Sequence, residues 1–341
     1  MTDLDDPWQV RPDCFPANRN IAAQLRFLLN YAVLAPSGHN TQPWLFRLDA
    51  DHVDVLADRT RALKVVDPQD RELTMSCAAA AETLALAARQ FGFSPEVTAL
   101  PEGPAADTIA RVRLKKTQGH ATSWAVLDAI ANRRTTRVSY APDPLPSDLR
   151  KACVAHGSDN SASVLFAADS PAREAISDLV AQGDRQQFSD PAFRRELANW
   201  IRSRASGGHD GMSGAAFGMP DMLSGLGGLV IRTFDIGGST ASGDARKIRE
   251  GSPVLAAIAT PQDGPPDWVA AGRTLARMLI TLSADGWTAS YLNQPIEVDA
   301  LRPQLRDVMG ISGYPQLLLR IGRATLPSAS ARRPVQDVCV T

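Results

Sequence analysis

The chain has 341 residues, of which 44% are hydrophobic and 21% charged, a balance typical of a soluble globular protein with one large domain or two of ordinary size. Thirty-six lysines and arginines stand against 37 aspartates and glutamates, so the net charge of −1 predicts no basic surface for nucleic acid or an anionic membrane. We therefore expect a small molecule or another protein as the partner.

Signals for export, membrane insertion and metal binding are weak. The N-terminal stretch MTDLDDPWQV is acidic and lacks an apolar core, which argues against a secretory signal. Residues 73–91 are weakly polar but interrupted by Glu82 and Arg89, as in a buried helix rather than a membrane span. Four separated cysteines and five ungrouped histidines indicate reduced thiols and no zinc site. These features predict a cytoplasmic protein.

The first part of the chain predicts two helices and two strands. Residues 21–35 form a helical pattern that a proline and a glycine end, and short strands follow at 44–48 and 53–57. Residues 72–91 repeat apolar or small side chains at helical spacing over an unusually wide face. Such a face predicts a central helix that is packed on more than one side.

The stretch APSGHNTQPWLFRL, residues 35–48, carries more polar side chains than a turn between a helix and a strand needs. Ser37, Asn40 and Gln42, with backbone amides that Gly38 frees, would suit hydrogen bonds to the edges of a planar heteroaromatic ring. An Asx-rich turn that only caps the strand explains the same residues without a ligand. His39 is expected as a turn residue or as a wall of such a pocket.

A second unit, beginning near Ser123, is similar to the first. If the chain is shifted by 120 residues, AVLAPSGHNTQPWLF (32–46) falls on ACVAHGSDNSASVLF (152–166), and five of these fifteen positions are identical. Chance gives roughly one identity over such a length, which favours an internal duplication. We therefore predict a first half at 1–120 and a second half at 121–341.

The stretch NRRTTRVSY, residues 132–140, holds three arginines and two threonines at a predicted helix-to-strand junction. Such groups would hold a phosphate by charge-assisted hydrogen bonds, although a solvated basic turn explains them too. Arg332 and Arg333 leave the same two explanations open. The first half lacks these arginines and the second lacks counterparts of Ser37 and Gln42, so one site between the halves explains both losses. A phosphorylated flat cofactor would fit that site.

A long insertion is predicted in the second half, at residues 189–252. Twelve of the 24 glycines lie between 207 and 251, which opposes regular structure. We predict a lid here, and its apolar underside, for which plain core packing is the alternative, would be formed by Met212, Phe217, Met219, Met222 and Leu223. Beyond the lid, helices are predicted at 267–287 and 298–310 and a strand at 314–322.

No acid–base pair or nucleophile emerges from the sequence. Two glycine-rich stretches are not nucleotide motifs either, because GLGG follows no strand and GGSTASGDA has Asp244 where a P-loop needs lysine. This absence fits a flavin enzyme, in which the N5 atom of the cofactor carries the hydride and no catalytic side chain is required.

Two of these stretches resemble motifs of the FMN-dependent nitroreductases. APSGHNTQPWLFRL is similar to the stretch that lines their flavin ring, and RRTTRVSY followed by PLPSDLRKA is similar to their Arg-Arg-Ser-x-Arg phosphate motif and first helix. In ordinary members the arginine motif comes first and two chains build two sites. The reversed order here, with DRTRALKVVDPQDREL, the Gly-rich insertion and RRPVQDV, resembles the Acg-like branch, in which one chain mimics the dimer.

The resemblance implies an α+β, nitroreductase-like fold of two tandem copies, with mixed or antiparallel sheets flanked by helices and one FMN between the halves. It implies that the phosphate and ribityl chain are held by Arg133, Arg134, Thr135 and Arg137, with Arg332 or Arg333. It also implies that the ring is faced from the other half by Pro36, Ser37, Gly38, Asn40 and Gln42. Thr135 replaces the usual serine but keeps its hydroxyl.

The resemblance leads to three functional hypotheses. The first is an FMN oxidoreductase that transfers hydride in ping-pong fashion from NAD(P)H to a nitroaromatic or quinone-like acceptor, as a monomeric pseudo-dimer. The second is a protein that sequesters FMN beneath a closed lid without turnover. The third is an interaction module without flavin, for which alanine at Arg133 and Arg137 would leave the cofactor content unchanged.

Overall fold

The computed structural model describes residues 6–117, 123–202, 207–213 and 230–340. Its helices are α1 (Ile21–Ala32), α2 (Arg71–Gln90), α3 (Ala125–Asn132), α4 (Ser147–Ser158), α5 (Ser170–Ser189), α6 (Pro191–Asn199), α7 (Gly237–Gly251), α8 (Pro265–Ala284), α9 (Gln294–Glu297), α10 (Arg302–Val308) and α11 (Val335–Val338). Its strands are β1 (Trp44–Leu48), β2 (His52–Ala57), β3 (Phe93–Ala99), β4 (Thr108–Lys116), β5 (Ser163–Phe166), β6 (Ile201–Arg202), β7 (Met212–Ser213), β8 (Val254–Thr260), β9 (Thr288–Tyr291), β10 (Tyr314–Gly322) and β11 (Cys339–Val340). None of the described helices is long and apolar enough to cross a membrane.

The predicted α+β class is confirmed, with one large sheet in each part of the chain and a two-stranded sheet of β6 and β7 besides. The first sheet has the order β11-β1-β2-β4-β3, with β11 parallel to β1 and the other neighbours antiparallel. The second has the order β5-β8-β10-β9 and is antiparallel throughout. Strand β11 belongs to the predicted second half by sequence, yet it pairs with the first sheet. The tail therefore crosses from one sheet to the other.

The elements predicted from periodicity are confirmed with small shifts at their ends. Helix α1 stops at Ala32 rather than at residue 35, and α2, α8 and β10 match the predicted 72–91, 267–287 and 314–322 closely. Helix α10 is shorter than the predicted 298–310. It begins late because a proline, which has no N–H to donate, suits only the first turn, and Pro303 therefore marks the start.

Helices α2 and α8 cross at close range, and this crossing joins the two parts of the fold. The alanines at positions 78–81 of α2 are fully buried, so small side chains form the contact surface. A Cβ atom at Gly272 would collide with the backbone of Met75 and the side chain of Ala78. The glycine is therefore required by the close approach of the two helices.

We expect Gly272→Ala to lower the free energy of unfolding by about 1–3 kcal/mol, because backbone atoms cannot move aside as a flexible side chain can. Gly243→Ala is the matched control, since that glycine lies in α7 with open space around its Cβ position. The control should raise stability by about 0.5–1 kcal/mol through helix propensity. Urea unfolding of both variants measures the difference, and equal effects would show that the crossing tolerates a methyl group.

The insertion at 189–252 departs from the expectation of irregular structure. Helix α7 forms over a stretch that contains four glycines, and α6 occupies 191–199, so the prediction was wrong for these parts. Ala241 and Ala245 pack on Ala181 of α5, and Ile248 is fully buried. The small side chains bring α5 and α7 together, and this burial outweighs the low helix propensity of glycine.

The predicted apolar underside of the lid is only partly described. Phe217, Met219, Met222 and Leu223 lie outside the described residues, whereas Met212 lies in β7. The lid itself therefore stays a prediction. Among the five predicted underside residues, Met212 is the one that the structure describes, and its contacts are given with the candidate site.

Candidate functional site

The loop at residues 36–42 follows α1 and adopts a strained backbone. Three of its non-glycine residues, His39, Asn40 and Gln42, have positive φ angles of 49°, 56° and 51°. Such conformations disfavour L residues and are typical of functional sites, where surrounding contacts hold them in place. Ser37 stabilises this shape because its Oγ accepts a hydrogen bond from the Gln42 N–H at 2.9 Å.

The amide side chains of this loop bind two distant segments of the chain. Asn40 Nδ2 donates to a carbonyl oxygen in segment 207–213 at 2.8 Å and to one in the tail, residues 331–333, at 3.1 Å. Gln42 Nε2 likewise donates into segment 207–213 at 2.8 Å, and its Oε1 accepts from a tail N–H at 2.7 Å. The side chains of Asn40 and Gln42 thus form hydrogen bonds within the protein, and their predicted contact with a ring stays a prediction.

The arginine motif begins where α3 ends, and the structure brings two of its three arginines to the loop region. Arg133 Nη2 donates to the carbonyl oxygen of Leu34 at 3.0 Å, and Arg137 Nη2 lies 3.7 Å from Met212 Sδ. Thr135 forms a backbone bridge with Ala289 next to β9. Motif and loop therefore lie close together, and the single site that the complementary losses predict stays a prediction.

Arg134 points elsewhere. Its guanidinium carbon lies 4.0 Å from the centroid of the Trp8 ring, and its Nη1 is bonded to the carbonyl oxygens of Ala131 and Arg133. The guanidinium of Arg332 lies over the same ring at 5.1 Å. Trp8 thus contacts both motif and tail by cation–π interactions. Sequence reasoning missed this residue.

The two tail arginines differ in their surroundings. Arg332 Nη1 donates to Asn40 Oδ1 at 2.6 Å, and its Nη2 donates to the carbonyl oxygen of Ala35 at 3.3 Å. Arg333 instead pairs with Asp58 at 3.5 Å and donates to the carbonyl oxygen of Gln42. Among the described residues, no carboxylate pairs with Arg332 beside the loop, whereas the charge of Arg333 is balanced by Asp58.

Three buried arginines here have no carboxylate partner within the described parts of the chain: Arg133, Arg332 and Arg320 are 6%, 6% and 1% exposed and form no ion pair there. Burial lowers the pKa of each, and the neighbouring Arg133 lowers the pKa of Arg332 further. Buried cations are normally paired, so arginines without a carboxylate in contact are suited to an anionic ligand.

Unpaired polar atoms lie among these arginines. Arg320 Nη1, Arg332 Nε and the Tyr291 hydroxyl are buried without a hydrogen-bond partner among the described residues. Burial raises the pKa of Tyr291 to about 12, while the charges of Arg133, Arg137 and Arg332 act to lower it and that of Glu72 to raise it. Tyr291 therefore lies close to all of these charges. Buried donors of this kind are usually satisfied, which points to a ligand that accepts hydrogen bonds.

Arg320 and Tyr291 are site residues that sequence reasoning missed. The signal for Arg320 was visible in YPQLLLRIG, where a single arginine interrupts an otherwise apolar strand. Its guanidinium lies 4.5 Å over the Tyr140 ring and donates to the Thr136 carbonyl oxygen at 3.3 Å. No comparable signal marks Tyr291.

The donor set fits a phosphate group. A phosphate dianion takes several charge-assisted hydrogen bonds, for which buried guanidinium and hydroxyl groups are the preferred donors. Here such donors remain without hydrogen-bond partners among the described residues. The site can therefore hold a phosphorylated ligand between the loop and the arginine motif.

His39 is held neutral at this site. Burial lowers its pKa from 6.5 to about 4, and the charge of Arg137 adds to the effect. Between these two values the unfolded chain binds a proton that the folded chain does not, so stability falls as the pH falls through this window.

We therefore expect wild type to lose more unfolding free energy than His39→Gln between pH 7 and pH 4, the span below the ordinary histidine pKa. Acids such as Asp184, whose pKa burial raises to about 7, are present in both proteins and cancel in the comparison. Urea titrations at several pH values measure the gap. Parallel curves would show that His39 is protonated as easily in the folded protein as in the unfolded one.

Comparison with known proteins finds relatives over most of the chain, although no family model matches it. The chain is 28% identical over 309 residues to Rv3131 of Mycobacterium tuberculosis (strain H37Rv), named as an NAD(P)H nitroreductase, covering 89% of this chain and 86% of that protein. It is 25% identical over 329 residues to the NAD(P)H nitroreductase acg of the same species, covering 92% and 94%. PigM of Serratia sp., named a probable NAD(P)H nitroreductase, is 24% identical over 335 residues, covering 90% of each chain.

Solved structures give weaker likenesses. NfnB of Mycobacterium smegmatis, described as an FMN-dependent nitroreductase in complex with NADPH, has a TM-score of 0.36 and 14% identity, and the match covers 60% of this chain and 94% of that one. Iodotyrosine deiodinase bound to FMN has a TM-score of 0.40 and 11% identity, covering 60% and 92%. Likeness at this level does not bear on function.

Proposed function

We propose that this chain, a homologue over most of its length of proteins named as NAD(P)H nitroreductases, is an FMN-binding oxidoreductase. It would take hydride from NAD(P)H and pass it, in a ping-pong cycle, to a nitroaromatic or quinone-like acceptor. The observation that carries the proposal is the group of buried arginines without carboxylate partners beside the strained loop.

The residues present suit the parts of FMN. Arg133, Arg332 and Arg320 would hold the phosphate, with the Tyr291 hydroxyl as a further donor. When bound, FMN would supply the ring atom that accepts and releases hydride. The chain's own part is to orient the cofactor, to keep water from it and to offset its negative charge. Arg137 is suited to the last task, since it carries a positive charge and its guanidinium reaches Met212 of the neighbouring segment.

The loop would serve this site mainly by position. Its amide side chains are bonded to segment 207–213 and to the tail, so we propose that Asn40 and Gln42 set the shape of the ring pocket and hold Arg332 in place. Pro36, Ser37 and Gly38 would face the ring through their backbone. This arrangement would be supported from the arginine motif by Arg134 and Thr135, and from the tail by Arg333.

We further propose that residues 1–120 and 121–341 arose by duplication and form a pseudo-dimer within a monomeric chain. The order β1-β2-β4-β3 in the first sheet corresponds to β5-β8-β10-β9 in the second, with the same antiparallel pairings. Helices α2 and α8 follow corresponding strands and pack on one another. This correspondence supports the proposal beyond the sequence identities of the two halves.

One observation favours FMN sequestration as a second candidate function. Segment 207–213 is bonded to Asn40 and Gln42, and Asp210 in it forms an ion pair with Arg61. A lid fixed in this way would shield the ring from an acceptor. Whether the lid opens would then decide whether bound FMN reacts with an acceptor or is only stored.

The visible spectrum of the purified protein tests these proposals. It would be recorded after reconstitution with FMN, then after anaerobic addition of NADPH and of NADH. A flavin band that bleaches supports the reductase, whereas a band that persists supports sequestration. A protein that takes up no flavin would overturn both and favour an interaction module.

A further inference from the structure

The ring of Trp8 contacts one arginine of the motif and one of the tail. The guanidinium carbon of Arg134 is 4.0 Å from the ring centroid and that of Arg332 is 5.1 Å from it, both within the range of cation–π attraction. The indole Nε1 donates to the carbonyl oxygen of Ser330, the residue before the tail, at 2.7 Å. The backbone N–H of Trp8 donates to the Asp6 carboxylate at 3.0 Å. The ring is therefore fixed both at its edge and through its backbone.

The two arginines that share this ring are surrounded by like charge. Neither Arg134 nor Arg332 forms an ion pair within the described parts of the chain. Burial lowers the pKa of both guanidiniums, and the positive charge of Arg133 adds to each effect. The face of an aromatic ring attracts a cation but carries no charge of its own. Trp8 therefore stabilises the two guanidiniums without neutralising them, whereas a carboxylate in the same place would compete with an anionic ligand.

The same arrangement recurs at Arg320. Its guanidinium carbon lies 4.5 Å from the centroid of the Tyr140 ring, and the Tyr140 hydroxyl donates at 2.7 Å to the Thr136 carbonyl oxygen that Arg320 also reaches. A Cβ atom at Gly322 would lie only 2.4 Å from Tyr140 Cγ, so the ring is packed tightly on β10. Two of the three buried arginines without carboxylate partners, Arg320 and Arg332, thus lie on aromatic rings.

We propose that Trp8 is a positioning residue of the phosphate site, which holds the guanidinium of Arg332 in its binding orientation before the ligand arrives and leaves its charge available. This role deepens the proposed function and rests on it, since the phosphate concerned is that of FMN. Donors that are already in place lose less conformational freedom when a ligand binds. Trp8 acts through the arginines, so its loss should weaken binding of a phosphorylated ligand and spare binding of the bare flavin ring.

The positioning is tested first in flavin-free protein with isotope-labelled arginine, by NMR of the guanidinium Nε–H groups. An indole ring shifts protons above its face to lower frequency, and the signals are assigned by their loss in Arg134→Lys and Arg332→Lys. Trp8→Leu should return both signals toward the ordinary arginine position. Arg323, which lies 5.2 Å over the Trp287 ring, should keep its own shift and so report that the variant is folded. Signals of Arg134 and Arg332 that do not move would overturn the proposal.

Inorganic phosphate is then added to the same flavin-free samples. It should shift the Arg332 signal at a lower concentration in wild type than in Trp8→Leu, because the guanidinium is already oriented in wild type. Equal concentrations in the two proteins would overturn the proposed preorganisation. This step needs no flavin, so it decides the role of Trp8 even if the proposed function fails.

The consequence for the cofactor is tested by the affinities for FMN and riboflavin. Cation–π attraction is stronger over indole than over phenyl and absent over leucine, so FMN affinity should fall about 3-fold in Trp8→Phe and about 10-fold in Trp8→Leu. Riboflavin affinity should change less than about twofold in both, since the phosphate contributes nothing to it. Trp124→Leu is the matched control, because Trp124 is 40% exposed and packs on Phe91, and it should leave both affinities unchanged.

Two results would contradict the positioning role. Both Trp8 variants lose the indole N–H that donates to Ser330, so equal FMN affinities in Trp8→Phe and Trp8→Leu would show that this bond alone matters. Equal losses of FMN and riboflavin affinity would show a general structural effect. A wild-type protein that binds neither flavin removes the proposed function, while the NMR and phosphate results still decide whether Trp8 positions Arg332.

Discussion

Replacing Glu82 by alanine is expected to lower the free energy of unfolding by about 3–5 kcal/mol, among the largest effects of any single substitution in this fold. Glu82 lies in α2 with 0% exposure, and its two carboxylate oxygens accept from Arg273 and Arg277 of α8 at 2.7 and 2.6 Å. Removing the carboxylate leaves two partly buried cations facing each other across the contact that joins the two sheets. Urea or thermal unfolding measures the loss.

Two further variants separate this charge effect from loss of packing. Glu82→Gln keeps the side-chain shape but should still show most of the loss expected for Glu82→Ala, because a neutral amide cannot balance two guanidiniums. Glu174→Ala removes an exposed carboxylate that also bonds an arginine, and it should change stability by less than about 1 kcal/mol. Similar losses in Glu82→Ala and Glu174→Ala would contradict the prediction.

Arg332→Ala should weaken FMN binding about 10- to 100-fold, since a hydrogen bond to a charged group contributes about 1.5–3 kcal/mol. Binding of riboflavin, which has the ring but no phosphate, should change much less. Arg333→Ala should have the smaller effect of the two tail variants, because Arg333 is already paired with Asp58. Quenching of flavin fluorescence on binding measures these affinities in wild type and in both variants.

Arg323→Ala is the control for charge alone. Arg323 lies over the Trp287 ring and donates to the carbonyl oxygen of Asp285. Its removal lowers the net charge by the same amount and should leave FMN affinity unchanged. An equal loss in Arg323→Ala and Arg332→Ala would show that Arg332 acts through the overall field and not as a phosphate ligand.

Local patterns predicted those features of the fold that depend on near neighbours. The spacing of apolar residues located α2 and α8, and the polar loop and the arginine motif were found because both depart from what a turn requires. Helix α7 escaped prediction because its stability comes from contact with α5, which local propensity does not contain.

Contacts between residues far apart in the chain limit how much of the site could be predicted from the sequence. That motif and loop share one site was predicted from complementary losses in the two halves, but Trp8, Arg320 and Tyr291 gave no such pairing. Glu72 and Asn293 lie far apart in the chain, and nothing in either neighbourhood indicates the hydrogen bond between their side chains. Such contacts follow from the tertiary packing of distant segments, which periodicity does not encode.

Strand β11 and the tail have a consequence for how this chain folds during synthesis. Asn40 and Arg332 are bonded although 292 residues separate them, and β1 receives β11 from a similar distance. The edge of the first sheet therefore stays open on the ribosome until residues 339–340 have been made. Closure of that edge also brings Arg332 to Asn40, so this arginine would contribute to cofactor binding only after the first sheet is completed.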